Sequence, residues 1–237
     1  MKIKLSKMIR WSVQLFGVLI VAGCVTNSLS SPEHLEAAIN KARIALPDTS
    51  GAEWSCSGYY QMFKEFECAD QITQKMPVVI HAHGCTGFNH SDETAMELYQ
   101  RLGWAVIAPN SFALNRSSTC GTGNMARTSE IDRALHLALS QSWVDKSKII
   151  VSGFSEGGLN AAVYTSPQII AKIVMGYGCH RGGNLSTKTL NVVGISDTQV
   201  GNSVCTGAAE LYRSDSGHHI FVDPKSSEVI EAFIRSL

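Results

Sequence analysis

The stretch KIIVSGFSEGG, residues 148–158, decides the fold that we expect for this chain. Its residues 149–151 form a short β-branched run, which is typical of a strand buried on both faces of a sheet. Residues 153–157 (GFSEG) then predict a sharp strand-to-helix turn that strains Ser155 and exposes its hydroxyl. The flanking glycines let strand and helix approach closely. The following helix would direct backbone N–H groups and its positive dipole end at the same point, which suits an oxyanion.

Short apolar runs alternate with helical patterns along the chain, which predicts a mostly parallel sheet covered by helices on both faces. The predicted strands are residues 77–82, 104–108, 149–151, 172–175, 190–195 and 209–213, with two shorter strands within residues 54–66. The predicted helices are residues 32–46, 92–102, 124–141, 156–164 and 225–235. At 237 residues and 44% hydrophobic content, the chain can bury one core but has no room for a large separate lid.

The N-terminus predicts export. Basic residues precede an apolar run over residues 11–23 that is too short to span a bilayer comfortably. The run ends in VAGC, residues 21–24, which resembles a bacterial lipobox. That resemblance implies cleavage before Cys24 and a diacylglycerol on its sulfur, although an ordinary signal peptide with a chance cysteine is the alternative. Val25, where an inner-membrane retention signal usually has Asp, favours the outer membrane, facing the periplasm or the cell surface.

These features divide the chain into a signal peptide over residues 1–23, a tether and N-terminal helix over residues 24–50, and the main domain over residues 51–237. The formal net charge is zero, and no basic patch or finger-type Cys/His spacing indicates nucleic acid as a partner. We therefore expect the membrane, through the lipid anchor, and a small-molecule substrate as the partners of this chain.

Six cysteines remain after Cys24, and an even number in an exported chain favours disulfides over metal or redox chemistry. Their positions along the predicted fold favour three sequential pairs, although free buried thiols are the alternative at some positions. The predicted pairs are Cys56 with Cys68, Cys85 with Cys120, and Cys179 with Cys205.

Residues that follow the predicted strands are the candidates for chemistry, because ligands bind at the carboxyl ends of the strands in an open α/β sheet. Asp197 follows strand 190–195, and His218 follows strand 209–213. With Ser155 they give the chain order serine, acid, histidine. In such a set the acid orients the histidine, which takes the proton of the serine and returns it to the leaving group.

Two rivals remain for these positions. His219 competes with His218 as the base, and His218 is favoured because it directly follows Gly217. Asp215 competes with Asp197 as the acid, but it lies on the loop of the histidine itself and is typical of a solvated turn residue.

The stretch HGCTG, residues 83–87, follows the first long strand and predicts the other half of an oxyanion hole. We expect the backbone N–H groups of Cys85 and Glu156 to be its two donors. His81 and His83 are expected to brace this loop by hydrogen bonds rather than to bind a metal or to catalyse.

Several motifs together resemble the dienelactone hydrolase-related branch of the α/β-hydrolases, from about residue 76 to the C-terminus. They are HGCTGF (83–88), APNSF (108–112), GFSEGG (153–158), GISD (194–197) and SGHH (216–219). The resemblance implies an α/β-hydrolase fold with little or no cap, and neither a metal nor an organic cofactor. Ser155 replaces the cysteine nucleophile of dienelactone hydrolases, and Asn110 stands where relatives often have Asp, so dienelactone is not carried over as the substrate.

Substrate pointers are few. Arg181, beside His180, follows a predicted strand near the expected mouth of the site. It could bind a substrate carboxylate, and the alternative is that it is a solvated loop residue. Three aromatic residues near the expected site could line an acyl pocket or simply pack: Phe88, Phe112 and Phe154. Arg127 and Glu130 are interpreted as helix-surface or loop-bracing charges. The sequence thus predicts a serine hydrolase acting on carboxylic esters, thioesters or amides, and the alternative is a catalytically inactive surface lipoprotein that uses the same fold for binding.

Overall fold

The structure, a computed structural model, describes residues 31–50, 61–62, 69–114, 120, 127–178, 187–200, 205 and 209–237. Its strands are β1 (Arg43–Ala45), β2 (Gln61–Met62), β3 (Met76–Ala82), β4 (Ala105–Ala108), β5 (Val144–Phe154), β6 (Ala171–Met175), β7 (Lys188–Gly194) and β8 (Ala209–Ser214). Its α-helices are α1 (Pro32–Asn40), α2 (His90–Arg101), α3 (Thr128–Ser140), α4 (Glu156–Val163) and α5 (Pro224–Arg235).

The described strands form one sheet in the order β2-β1-β4-β3-β5-β6-β7-β8. The six strands from β4 to β8 in this order are all parallel, whereas β1 is antiparallel to both of its neighbours. The predicted mostly parallel α/β sheet is therefore confirmed. Because the parallel strands share one direction, the loops after β3, β5, β7 and β8 meet at one edge of the sheet. Residues 176–187 separate β6 from β7.

The sheet is buried on both faces, and the alternation of its side chains shows this directly. Along β5, Ile149 and Val151 pack with α1, α3 and α4, whereas Ile150 packs on the opposite face with α2 and α5. In β3, Val78 and Val79 divide in the same way between the two cores. Full burial of such a side chain contributes about 1.5–3 kcal/mol, so the central strands are the most strongly held part of the domain.

The predicted helix over residues 32–46 is too long. It ends at Asn40, and residues 43–45 instead form β1, which pairs with β4 through Ile44 opposite Ile107. Ile44 enters the core beneath α1, and Ala45 enters the opposite core. The apolar residues that fit a helical period also fit a short strand, and pairing at the sheet supplied the backbone hydrogen bonds.

β5 starts at Val144, five residues before the predicted strand over residues 149–151, and the remaining predicted strands and helices agree with the structure to within four residues at each end. Of the two short strands expected within residues 54–66, β2 lies in the described part, and the other positions lie outside it. The predicted signal segment and Cys24 also lie outside the described residues. Within the ranges given above, no helix has the length and apolar character needed to cross a membrane.

Candidate active site

Ser155 sits at the sharp turn between β5 and α4 in an unusual backbone conformation. Its φ is 56° and its ψ is −117°, and it is the non-glycine residue with positive φ in the described part of the chain. Such a conformation costs on the order of 1–3 kcal/mol and persists only where the surroundings enforce it. Here the Ser155 N–H donates to the carbonyl oxygen of Met175 at 2.8 Å, which ties the turn to the end of β6.

Glycines make this turn possible. A Cβ at Gly153 would lie 2.2 Å from the carbonyl oxygen of Gly157, so strand and helix touch backbone to backbone. A Cβ at Gly157 would lie 1.9 Å from the carbonyl oxygen of Ala82, so the start of α4 is pressed against the end of β3. The turn that carries Ser155 is therefore held against the strand that leads into residues 83–87.

The structure brings Ser155, His218 and Asp197 together from three different loops. The Ser155 Oγ lies 2.9 Å from His218 Nε2, and His218 Nδ1 lies 2.8 Å from Asp197 Oδ2. All three residues are buried, with exposed fractions of 7%, 9% and 6% respectively. With Nδ1–H donating to the carboxylate, Nε2 is left as an acceptor for the serine hydroxyl. This is the arrangement in which an imidazole can take the proton of a serine.

The Asp197 carboxylate is held by more than the histidine. Its Oδ1 accepts hydrogen bonds from the N–H groups of Gln199 at 2.8 Å and Val200 at 3.2 Å. The loop itself approaches the histidine loop closely, since a Cβ at Gly194 would lie 2.0 Å from the carbonyl oxygen of Gly217. Two backbone N–H groups of the same loop therefore orient the Asp197 carboxylate, and His218 provides the third hydrogen bond.

Asp223, which the sequence analysis missed, anchors the histidine loop. Its Oδ2 accepts from the Tyr212 hydroxyl at 2.8 Å, the Ser214 hydroxyl at 3.2 Å and the Asp215 N–H at 3.2 Å, while its Oδ1 caps α5 at Lys225. The hydrogen bond from Tyr212 is the main cause that lowers the pKa of Asp223, and burial is the main cause that raises the pKa of Tyr212 to about 12. An Asp-Pro pair before a helical pattern is an N-cap signal that could have marked this residue.

The two rivals take other positions. His219 Nδ1 lies 2.9 Å from the Ser91 hydroxyl oxygen, and the exposed His219 ring stacks on Phe154 at 5.7 Å. Asp215 is exposed, and its N–H donates to Asp223. Neither residue therefore stands in the chain of contacts from Ser155 through His218 to Asp197.

The loop that carries Cys85 is a tight turn that is stabilised by hydrogen bonds to Asp92. The Gly87 N–H donates to the carbonyl oxygen of Gly84 at 3.2 Å, and Gly87 has a φ of 93°, which favours glycine. Asp92, in the capping box of α2, accepts from the Gly84 N–H at 3.4 Å and the Asn89 N–H at 3.1 Å. The Asn-x-x-Asp spacing is the signal that could have identified Asp92 from the sequence.

The predicted pairing of Cys85 with Cys120 is present as a disulfide, with the two Cα atoms 4.9 Å apart. It ties the turn after β3 to the segment after β4. Cys205 is also disulfide-bonded, and its partner lies outside the described residues. The predicted partner of Cys205 is Cys179, which lies outside them as well, as do Cys56 and Cys68.

His81 and His83 are fully buried and brace the same loop. His81 Nε2 lies 3.0 Å from Asp92 Oδ1. His83 Nδ1 donates to the carbonyl oxygen of Gly84 at 2.7 Å, and His83 Nε2 accepts from the Ser111 N–H at 3.1 Å. Burial first, and then the charge of Arg127, holds the pKa of His83 well below its usual value of 6.5. Both ring nitrogens of His83 are thus committed to a neutral, structural arrangement.

Other predicted residues lie beside the site or outside the described part of the chain. Phe88 and Phe112 pack on the His83 ring at 4.6 Å and 5.3 Å, and Phe154 packs on His218 at 5.0 Å. His180 and Arg181 lie outside the described residues. Within the described ranges, no group of three or more His, Cys, Asp or Glu side chains is arranged to hold a metal ion.

Arg127 and Glu130 are not surface charges, since each is only 1% exposed. The helix-surface interpretation of these residues is wrong, and the loop-bracing interpretation agrees with their contacts. The predicted helix over residues 124–141 begins at Thr128, which places Arg127 at its N-cap position. Nothing in the helical pattern distinguished a buried charge there from a solvated one.

Solved structures share this architecture. Est1E from Butyrivibrio proteoclasticus matches with a TM-score of 0.58 at 13% identity, covering 82% of this chain and 93% of its own. The Pyrococcus furiosus esterase Pf2001 matches with a TM-score of 0.57 at 16% identity, covering 68% and 83%. XC6422 from Xanthomonas campestris, an α/β serine hydrolase without a lid, matches with a TM-score of 0.55 at 13% identity, covering 82% and 86%. The fold is that of the α/β-hydrolases.

Sequence comparison adds no closer relative. No protein-family model matches this chain, and no curated protein matches it. At identities this low, the likeness to the solved α/β-hydrolases establishes the fold alone, because that fold carries many unrelated activities. The activity must therefore be argued from the residues of the site.

Proposed function

We propose that this chain is a serine hydrolase that cleaves carboxylic esters through an acyl-serine intermediate on Ser155. The observation that carries the proposal is the continuous contact from Ser155 Oγ to His218 Nε2 at 2.9 Å and from His218 Nδ1 to Asp197 Oδ2 at 2.8 Å. The strained backbone of Ser155 supports it, because strain at a turn is retained where it serves a site.

In the acylation step, Ser155 Oγ attacks the ester carbonyl carbon while His218 Nε2 takes the hydroxyl proton. The tetrahedral intermediate then collapses, the carbon–oxygen bond to the alcohol breaks, and His218 gives the proton to the leaving alkoxide. Asp197 stabilises the imidazolium between these two transfers and stays an acceptor throughout.

In the deacylation step, His218 takes a proton from water and the resulting hydroxide attacks the acyl-serine carbonyl. The second tetrahedral intermediate expels Ser155 Oγ, which recovers its proton from His218, and the carboxylic acid leaves. The backbone N–H groups of Cys85 and Glu156 are proposed to stabilise the oxyanion in both steps, and the loss of one such donor typically costs about 10²–10³ in rate.

A fluorophosphonate probe tests the nucleophile. We expect stoichiometric labelling of the wild-type protein at Ser155, with no labelling of Ser155→Ala and no turnover of short p-nitrophenyl esters by that variant. Equal turnover by Ser155→Ala and the wild type, or a folded wild-type protein that does not label, would favour the inactive binding module over the enzyme.

The two neighbouring histidines provide a matched pair of variants for the base. His218→Gln should lower kcat by about 10⁴ or more, since the serine loses its proton acceptor. His219→Gln should change kcat by less than about tenfold, because His219 contacts Ser91 and not Ser155. The reverse ranking would assign the base to His219.

The substrate class and the location of the protein extend this proposal. We propose esters as the substrates ahead of thioesters or amides. We also propose, on the sequence motifs, that the chain belongs to the dienelactone hydrolase-related branch, while Ser155 in place of a cysteine argues against dienelactone itself as the substrate. We also propose that Cys24 carries a lipid anchor at the outer membrane, on the lipobox-like sequence at residues 21–24. Labelling of cells with a radioactive fatty acid should mark the wild-type protein and not Cys24→Ala, and a wild-type protein without the label would contradict the anchor.

A further inference from the structure

A buried guanidinium lies directly behind the candidate oxyanion hole. Arg127 is 1% exposed. Its Nη1 donates to the carbonyl oxygen of His83 at 2.7 Å, and the same nitrogen lies 3.4 Å from Glu156 Oε2. One side chain therefore contacts both the loop after β3 and the first residue of α4.

These two contacts reach the two segments from which the proposed oxyanion donors come. The His83 carbonyl belongs to the peptide that joins His83 to Gly84, and Cys85 is the next residue along. Glu156 is the residue whose own N–H is the second proposed donor. A shift of Arg127 would therefore move the two donors relative to each other, even though Arg127 contacts no reacting atom.

The guanidinium is itself held on the side away from the turn. Glu130 Oε2 lies 3.6 Å from Arg127 Nε and accepts from the Ser111 hydroxyl at 2.5 Å. Glu130 Oε1 lies 2.7 Å from His34 Nε2, which brings α1 into the same group. Ser111 also donates its backbone N–H to His83 Nε2. The residues around Glu130 therefore contact the loop after β3 a second time, through Ser111.

The distances from the Arg127 guanidinium to its partners favour a positioning function over a simple buried ion pair. A buried arginine stays charged and needs a carboxylate nearby, which Glu130 and Glu156 provide. Yet the shortest contact of the guanidinium, at 2.7 Å, is to the backbone oxygen of His83, and its carboxylate contacts are at 3.4 Å and 3.6 Å. The charge is thus directed at the loop backbone.

We propose that Arg127 is a positioning residue that fixes the separation of the Cys85 and Glu156 N–H groups, and so stabilises the transition state rather than the bound ester. The inference rests on the proposed serine hydrolase function. Lysine cannot replace arginine here, because its single ammonium nitrogen cannot keep both the His83 contact that Nη1 makes and the Glu130 contact that Nε makes. Arg127→Lys should lower kcat by about 10–10², with KM changed by less than about threefold. This decrease in kcat is at most as large as the decrease of about 10²–10³ that follows the loss of one whole oxyanion donor.

The test compares variants per active site, after titration of Ser155 with a fluorophosphonate. Kinetics are measured with p-nitrophenyl butyrate, together with inhibition by an alkyl trifluoromethyl ketone, whose serine adduct carries an oxyanion. For Arg127→Lys and Arg127→Met, the inhibition constant of the ketone should rise by about the same factor as kcat/KM falls, since both report the oxyanion site. Should Arg127→Met not fold, Arg127→Lys and Glu156→Gln carry the test, with Glu156→Gln expected to show a smaller effect in the same direction.

Two control variants separate positioning from stability. Arg235→Met makes the same change on the exposed face of α5, where the side chain pairs with Glu231, and should leave all constants unchanged. Lys172→Met removes a buried cation that donates to the carbonyl oxygens of Ala162 and Tyr164, away from the oxyanion loop. Lys172→Met should lower the melting temperature without lowering kcat per titrated site.

The inference is overturned if Arg127→Lys keeps kcat within about twofold of the wild type, or if its loss appears in KM alone. It is also overturned if ketone inhibition is unchanged while kcat falls. A wild-type protein that neither labels nor turns over esters overturns the proposed function itself, and the inference with it. A fully active wild type with an unaffected Arg127 variant overturns the inference alone.

Discussion

Gly157→Ala is the sharpest test of how the serine turn is built. The Cβ of an alanine at residue 157 would lie 1.9 Å from the carbonyl oxygen of Ala82 and 2.7 Å from that of His83. Ordinary contact begins near 3.4 Å, so the backbones of α4 and the β3 end must separate by about 1.5 Å (3.4 minus 1.9). The obstacle is backbone on both sides, and no flexible side chain can yield instead.

Two consequences follow from that separation. Overpacking of this kind typically costs about 1–3 kcal/mol of folding free energy. The same movement displaces Ser155 and the Glu156 N–H from the loop of Cys85, and a displacement of about 1 Å in a positioned site can cost about 10² in rate. We therefore expect Gly157→Ala to lower kcat by about 10² or more, with a melting temperature reduced by several degrees.

Gly217→Ala is the matched control. It makes the same change beside His218, but its Cβ would meet only the carbonyl oxygen of Ser196, at an ordinary 3.8 Å. Its kcat should stay within about threefold of the wild type, with stability unchanged or raised by up to about 1 kcal/mol. Both variants are compared by p-nitrophenyl ester turnover per titrated site and by thermal unfolding. A Gly157→Ala protein with wild-type kcat would refute the view that this backbone contact sets the site.

Two further predictions concern the loop that carries Cys85. Cys120→Ser should lower the free energy of unfolding by about 4 kcal/mol, since the cross-link that it removes spans 35 residues, and should lower kcat by about tenfold, less than the loss of a whole donor. Thermal unfolding and ester kinetics check this, and an unchanged kcat would show that the turn needs no cross-link. Because the pKa of His83 is lowered by burial and by Arg127, the unfolded chain binds an extra proton below pH 6.5, so stability falls with acid in that range by up to about 1.4 kcal/mol per pH unit. His83→Gln should flatten this slope in denaturant unfolding between about pH 6.5 and pH 5, and an identical slope would contradict it.

The elements of this fold that are decided locally were predictable from the sequence. Strand β3 is buried on both faces and reads as a β-branched run, and its boundaries came within one residue, whereas β5 begins five residues before the predicted run because its exposed residues 146–148 show no apolar signal. Ser155, Asp197 and His218 could be selected because each follows a strand, and parallel strands bring such residues to one edge. The Gly-His order favoured His218 over His219 as the base, and His218 is the histidine that lies beside Ser155, whereas His219 contacts Ser91.

What the sequence could not provide were decisions made by distant contacts. Residues 43–45 carry apolar side chains that suit a helix or a strand, and only pairing with β4 decides between the two. The sequence left Arg127 as either a helix-surface or a loop-bracing charge, and its burial follows from the loop of His83 and the acid Glu130 lying around it. Contacts between residues far apart in sequence produce no periodic pattern of apolar residues along the chain, so the sequence alone does not show them.

Three residues that support the site loops, two of which the sequence analysis missed, share one position in the fold. Asp92 lies in the first turn of α2, Arg127 at the N-cap of α3 and Asp223 at the N-cap of α5. In this fold the loops of the site leave the strands at their carboxyl ends, and helices begin beside those loops. Irregular backbone needs polar partners when it is buried. Side chains at the helix starts are the nearest ones able to provide them, as Asp92 does for Gly84, Arg127 for His83 and Asp223 for Asp215. A charged residue at the start of a helix beside the site in this fold should therefore be interpreted first as a support for a neighbouring site loop, and only second as a solvated cap.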